Sequence, residues 1–275
     1  MTSASTLNPA ARLLLLLAGC VALIGAVAGC ATGPGGFGST ATELHTAIDD
    51  SPERARARTR LTLATSYYEN NQSAIALDEL KKVLQVDPSF GDAYNLGGLI
   101  YMKLNEPAMA ESHFARAVSL NPRDANAMHN LGWLQCQQGR YAEASQSFQR
   151  AIATPSYQGR ARTLMAQGIC QSRAGDNAGA EVTLMHSYEL DAGNPVTAYN
   201  LSALLYKRGD YPRAQFYIRR LNNGEMANAE SLWLGIKVER KLNNRPAMEQ
   251  LASQMRRRFS QSREFLAYER GAFDD

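Results

Sequence analysis

Few side chains in this 275-residue chain are suited to covalent or metal chemistry: four cysteines (Cys20, Cys30, Cys136, Cys170) and four histidines (His45, His113, His129, His186). Thiolates can be acylated, can pair as disulfides or can join imidazoles around zinc. The histidines are far apart, with no HExxH motif, so a zinc site has nothing to build on. No P-loop, no GxSxG and no GxGxxG opening a helix is present, and Gly33–Gly38 precedes no strand–helix unit. An enzyme, a bound cofactor and a small-molecule substrate are therefore not expected. Lipid attachment and disulfide formation remain.

The first follows from the N-terminal pattern. Arg12 is the only charge before Gly29, and an apolar run from Leu13 to Val27 ends in small residues. A basic start, an apolar stretch and a small-residue exit make a secretory signal, and 15 residues fall short of the roughly 20 needed to span a bilayer. Val27-Ala28-Gly29-Cys30 resembles the bacterial lipobox, which implies a diacylglycerol on Cys30 and removal of residues 1–29. Leu17-Ala18-Gly19-Cys20 is the rival match, but it would leave an apolar stretch of only Leu13–Leu17. Ala31 after the cysteine, rather than Asp, fits sorting to the outer membrane by resemblance to Gram-negative lipoproteins. Gly and Ser in 31–40 suit a flexible tether, and 30–50 is read as lipidated cysteine plus tether.

What positions the remaining residues is a repeat. Ala76, Ala110 and Ala144 are 34 residues apart, as are Leu80, Phe114 and Phe148, and Ala64, Gly98 and Gly132. The register continues through Gly168, Ser202 and Gly235, and through Ala180, Ala214 and Ala247. A 34-residue period of small, small and large positions with a closing Pro (Pro88, Pro122) is the tetratricopeptide (TPR) signature. The expected fold is all-α: a right-handed superhelical solenoid of six repeats, about 57–90, 91–124, 125–160, 161–194, 195–227 and 228–260. That makes about twelve antiparallel helices (A and B in each unit), followed by a capping helix at Gln261–Arg270 within a 261–275 tail. Small residues let paired helices approach, and Asn71, Asn105, Gly139, Gly175, Gly209 and Asn243-Asn244 stand where a left-handed turn joins A to B. No unit can bury its apolar face alone, so stability comes from stacking.

Composition agrees: 45% hydrophobic, 20% charged, 21 Gly and 10 Pro exclude collagen, a disordered polyelectrolyte and a polytopic membrane protein. A net charge of +3 does not call for nucleic acid. The Arg54–Arg60 and Arg256–Arg258 runs read as solvated surface, with anionic lipid or an acidic partner as the alternative.

Cys136 and Cys170 fall at near-equivalent places on the A helices of units three and four. Two buried thiols are one outcome. A disulfide is the one favoured by an oxidising compartment, and it would sit beside the two-residue insertion at Tyr157-Gln158-Gly159.

A TPR array binds with its concave face. The second, fifth, ninth, twelfth and thirteenth places of helix A supply Tyr68, Asn95, Leu99, Met102, Lys103, His129, Trp133, Met165, Ile169, Tyr199 and Tyr206. Trp, Tyr and Met favour binding surfaces, with Trp133 and Tyr68 the leading candidates. Each can equally belong to the core between repeats, because adjacent A helices bury part of this face.

The stretches Asn130–Tyr141, Pro155-Ser156-Tyr157, Gly168–Asp176, Glu230–Arg240 and Met255–Phe259 closely resemble the type IV pilus biogenesis and stability family known as PilW, or PilF pilotins. The resemblance covers about Arg54 to Phe259. It departs at Pro155-Ser156-Tyr157-Gln158, where the family more often has Pro-Leu-Tyr-Pro. It implies a six-TPR outer-membrane lipoprotein, lipid-anchored in the periplasmic leaflet and monomeric when free. Such a protein binds the pilus secretin and promotes its outer-membrane localisation and multimer assembly. A general periplasmic TPR adaptor of another envelope assembly is the alternative.

Overall fold

The computed structural model describes residues 51–273. The signal, the tether and the lipidation site Cys30, with its rival Cys20, lie outside the described residues. Among the described residues there are thirteen helices and no strand. They form six pairs and a cap: α1 (Pro52–Glu69) with α2 (Ser73–Val86), α3 (Gly91–Lys103) with α4 (Pro107–Leu120), α5 (Ala125–Gln137) with α6 (Tyr141–Ala153), α7 (Arg160–Arg173) with α8 (Asn177–Leu190), α9 (Pro195–Arg208) with α10 (Tyr211–Asn222), α11 (Ala229–Lys241) with α12 (Arg245–Arg258), and α13 (Arg263–Glu269). Each paired helix packs most closely on its pair partner and next on a neighbouring unit, as a solenoid requires.

The turn chemistry explains why the chain reverses where it does. Asn71, Asn105 and Asn243 have φ of 61°, 60° and 56°, and Gly139, Gly175 and Gly209 have 76°, 88° and 86°. Asn and Gly tolerate this left-handed region, which other side chains resist. Helix starts are set by side-chain caps. Ser51, Asp124, Asp176, Asn194, Asp210, Asn228, Asn244 and Ser262 each accept a backbone N–H from the first turn.

The core repeats with the sequence. Leu80, Phe114, Phe148, Leu184 and Ile218 are fully buried at equivalent places on the B helices, each contributing about 1.5–3 kcal/mol. Ala76, Ala110, Ala144, Ala180 and Ala214 are likewise sealed. A Cβ at Gly98 would lie 2.4 Å from the Phe114 ring. The small residue of helix A thus makes room for the large residue of helix B, rather than simply facing its alanine.

Several expectations are corrected at the ends. Ala247, the sixth alanine of the register, is only half-buried because, among the described residues, only the seven-residue α13 follows α12, where the earlier B helices have a whole repeat packed on them. The first helix starts at Pro52, five residues ahead of the repeat boundary at 57, with Ser51 as cap. The capping helix runs Arg263–Glu269 rather than Gln261–Arg270, because Ser262 caps it and Gly271 turns the chain left-handed after it.

Candidate protein-binding face

The A helices line one face of the array. At its centre Cys136 on α5 is disulfide-bonded to Cys170 on α7, with Cα atoms 5.8 Å apart. The bridge does not sit beside Tyr157-Gln158-Gly159 as the sequence suggested. Cys170 lies ten residues into α7, about 15 Å along the axis from the insertion. The insertion has its own clamp. Ser156 takes a left-handed φ of 59°, and Tyr157 packs on the core cluster that includes Met128 and Ala151. Tyr157 Oη and His129 Nδ1 are each 2.9 Å from Thr163 Oγ1, which also reaches the Gly159 carbonyl at 3.2 Å. Units three and four are thus fastened at both ends of one helix pair.

That clamp removes His129 from the binding face. It is 8% exposed, and burial with the Arg162 charge adding pushes its imidazole down to about 4. The fifth place of unit three points into the seam because the insertion brings Thr163 and Tyr157 up against it. His113 is also held below the ordinary imidazole range by burial, partly offset by a hydrogen bond involving the Tyr94 backbone.

The other expected groove residues are half-buried, except Lys103, which is exposed. They divide by contact. Leu99 and Met102 pack against the core cluster of Phe114 and Leu134, and Tyr68 packs against that of Leu80 and Ile100. Tyr199 and Tyr206 lean on the Leu201–Ile218 cluster. Met165 and Ile169 stand half-buried on α7. Asn95 Oδ1 accepts from Asn130 Nδ2 at 2.9 Å, which ties the carbonyl end of its amide to the next repeat. Burial, then the charges of Glu230 and Glu264, raise the Tyr199 phenol above its usual range.

The aromatic members share a feature that position counting missed. The Lys103 ammonium stands 4.7 Å from the Tyr68 ring centroid and donates to the Tyr68 carbonyl at 3.2 Å. The Arg173 guanidinium lies 5.2 Å from Trp133, and the Lys237 ammonium 5.7 Å from Tyr206. In each case a cation of one repeat covers an aromatic of the preceding one. Each such contact contributes about 0.5–2 kcal/mol and orients the ring. The face therefore presents aromatic edges framed by positive charge. Trp233, Lys237 and Arg240, absent from the expected set, belong to it as well. Trp233 and Lys237 stand at the sixth and tenth places, outside the positions counted, whereas Arg240 stands at the thirteenth place of unit six, equivalent to Lys103, and was passed over.

Fold and face together define a tetratricopeptide-repeat scaffold, built for contact with other proteins. Residues 91–155 match the Tetratricopeptide repeat family model. The chain is 27% identical over 209 residues to the type IV pilus assembly protein PilF of Pseudomonas aeruginosa, covering 76% of this chain and 83% of that one. A solved structure of P. aeruginosa PilF superposes with a TM-score of 0.72 at 27% identity, covering 79% of this chain and 99% of the other. The crystal structure of PilW, a widely conserved type IV pilus biogenesis factor, gives 0.71 at 26%, covering 77% and 97%. The chain is a TPR protein homologous, at moderate identity, to the pilus biogenesis proteins PilF and PilW.

Proposed function

We propose that this chain is a pilotin of type IV pilus biogenesis. Its repeat face binds the pilus secretin, and a diacylglycerol on Cys30 carries the complex to the periplasmic leaflet of the outer membrane, where the secretin assembles into its ring. The observation that carries the reading is the likeness to PilF across 79% of this chain and 99% of that solved chain. The mechanism is binding and co-transport, with no bond made or broken in a substrate. The lipid supplies the destination and the repeats supply recognition.

Deletion of the gene tests it. Loss of surface pili, twitching and heat-stable secretin multimers is the expected outcome, and a deletion strain that keeps all three would sink the pilotin role. Cys30→Ala should abolish lipid labelling and mislocalise the protein, whereas lipid lost only in Cys20→Ala would move the anchor. Trp133→Ala combined with Met102→Ala should weaken binding of purified secretin fragments by more than ~2 kcal/mol with helical content retained. Unchanged binding would move recognition off these two residues.

A further inference from the structure

The last described residue of the chain is folded back onto the binding face. After α13, Gly271 takes φ 69°, its N–H donates to the Tyr268 carbonyl at 3.0 Å, and Ala272 N–H donates to the Ala267 carbonyl at 2.9 Å. This left-handed helix ending redirects the backbone. Phe273 then lies on Trp233 in a stacked arrangement, ring centroids 5.1 Å apart and planes 29° from parallel. The Arg240 guanidinium stands 4.0 Å from the Phe273 centroid, and Tyr268 meets the ring edge-on at 6.2 Å. Lys237 lies 5.5 Å from Trp233 and 5.7 Å from Tyr206, so the surroundings of the ring extend from the sixth repeat to the fifth.

Trp233, Tyr268 and Phe273 also pack on the core cluster of Leu232, Met255 and Phe265, but three properties distinguish the place. It is built from helix A residues of two successive repeats, on the face a bound segment would follow. Its chemistry is an indole and two cations, which select a flat aromatic ring and favour carboxylates next to it. Its present occupant has that composition, since Phe273 is followed in the sequence by Asp274 and Asp275. Phe273 itself stays half-buried rather than sealed, which is what an exchangeable side chain requires.

We propose that Tyr206, Trp233, Lys237 and Arg240 form a docking subsite for one aromatic side chain of an acidic protein segment, and that Phe273 occupies it in the free protein. The inference rests on the reading that the concave face binds protein, and adds the chemistry of one partner residue and an intramolecular competitor. A partner must displace Phe273, so its apparent affinity is reduced by the fraction of molecules with the tail in place.

The test uses the full-length chain and a synthetic peptide of residues 267–275, titrated by calorimetry. Phe273→Ala protein should bind the peptide about tenfold more tightly than wild type, a difference of about 1.4 kcal/mol. A peptide with Ala in place of its Phe should not bind. Adding Lys237→Glu and Arg240→Glu to Phe273→Ala should abolish binding while the thermal melt is kept. Arg240→Glu alone, with Phe273 in place, guards against a folding defect in the Ala variant. It should loosen the tail and expose Trp233 to quencher. Equal binding of the peptide by wild type and Phe273→Ala, or equal binding of the Phe and Ala peptides, overturns the subsite. Purified secretin fragments separate this from the pilotin role. Tighter binding by Phe273→Ala supports the competitor, and equal binding by both proteins refutes it while leaving the pilotin reading intact. Binding by neither, with the peptide behaving as expected, refutes secretin as the partner and not the subsite.

Discussion

His129 Nδ1 and Thr163 Oγ1 meet at 2.9 Å across the seam between units three and four. The threonine has one hydroxyl proton, for which the Gly159 carbonyl at 3.2 Å is the partner that can only accept. With that proton on the carbonyl, the oxygen is left to accept from Tyr157 O–H and from a His129 protonated on Nδ1. A neutral imidazole suits this buried position; a charged one would face Arg162 without water to solvate it.

The seam is accordingly acid-sensitive. The folded-state value of about 4 lies below the ordinary 6.5, so the unfolded chain binds the proton more readily. Stability from this group is complete above pH about 6.5, falls as pH drops and is fully lost below about 4, on the order of 3 kcal/mol in all. His129→Gln, compared with wild type in denaturant melts from pH 7 to pH 4, should flatten that part of the profile. Parallel profiles for the two proteins would count against a buried neutral His129.

At the other end of the same helix pair, the Cys136–Cys170 bridge closes a loop of 34 residues. Chain-entropy arguments give such a loop about 4 kcal/mol of stabilisation. Mass spectrometry of the folded protein before reduction should show neither Cys136 nor Cys170 as a free thiol. Reduction, or paired Cys136→Ala and Cys170→Ala substitution, should lower the melting temperature. Hydrogen exchange should then rise first in α5 and α7. Two alkylatable thiols in unreduced protein would contradict the bridge.

The six turns and the buried alanines were legible because they answer to local rules: a left-handed φ demands Asn or Gly, and a close helix approach demands a small side chain. Contacts that depend on how far one repeat is staggered over the next were not. Lys103 over Tyr68 and Arg173 over Trp133 join places thirteen and twelve, or thirteen and nine, of successive units. A 34-residue period fixes which residues share a face, but not which long side chains meet across it. His129 was misplaced for a related reason, since the two-residue insertion before α7 changes the neighbours of one repeat only. Phe273 had no repeat counterpart from which to be read.

Packing in the middle of the array gives a sharper check on the register. Ala144 is fully buried beside Phe148, on the B helix whose partner carries Gly132. Ala144→Leu should overpack this seam and cost about 1–3 kcal/mol. Because each repeat leans only on its neighbours, exchange protection should fall in α5–α6 first and in α3–α4 and α7–α8 next. An unchanged melt would argue against the register.

The last prediction concerns a charge that the fold cannot leave alone. Glu239 on α11 is 0% exposed. Arg219 on α10 meets it with two hydrogen bonds, Nε to Oε1 at 2.6 Å and Nη2 to Oε2 at 3.0 Å, and Gln215 Nε2 adds a third at 2.8 Å. The pair holds unit five to unit six, as the Arg208 and Arg213 pairs with Glu181 hold unit four to unit five. Arg219 keeps an exposed guanidinium edge, so the cost of burial falls mainly on the carboxylate. Arg219→Ala strands that carboxylate and should destabilise by about 3–5 kcal/mol, more than removal of both partners does. The double variant Arg219→Ala, Glu239→Gln should recover part of the loss, because a neutral amide can keep its contact with Gln215 without a countercharge. Chemical denaturation of the two variants decides it: a double variant no more stable than Arg219→Ala alone would mean that lost packing of the arginine, and not the stranded charge, sets the cost.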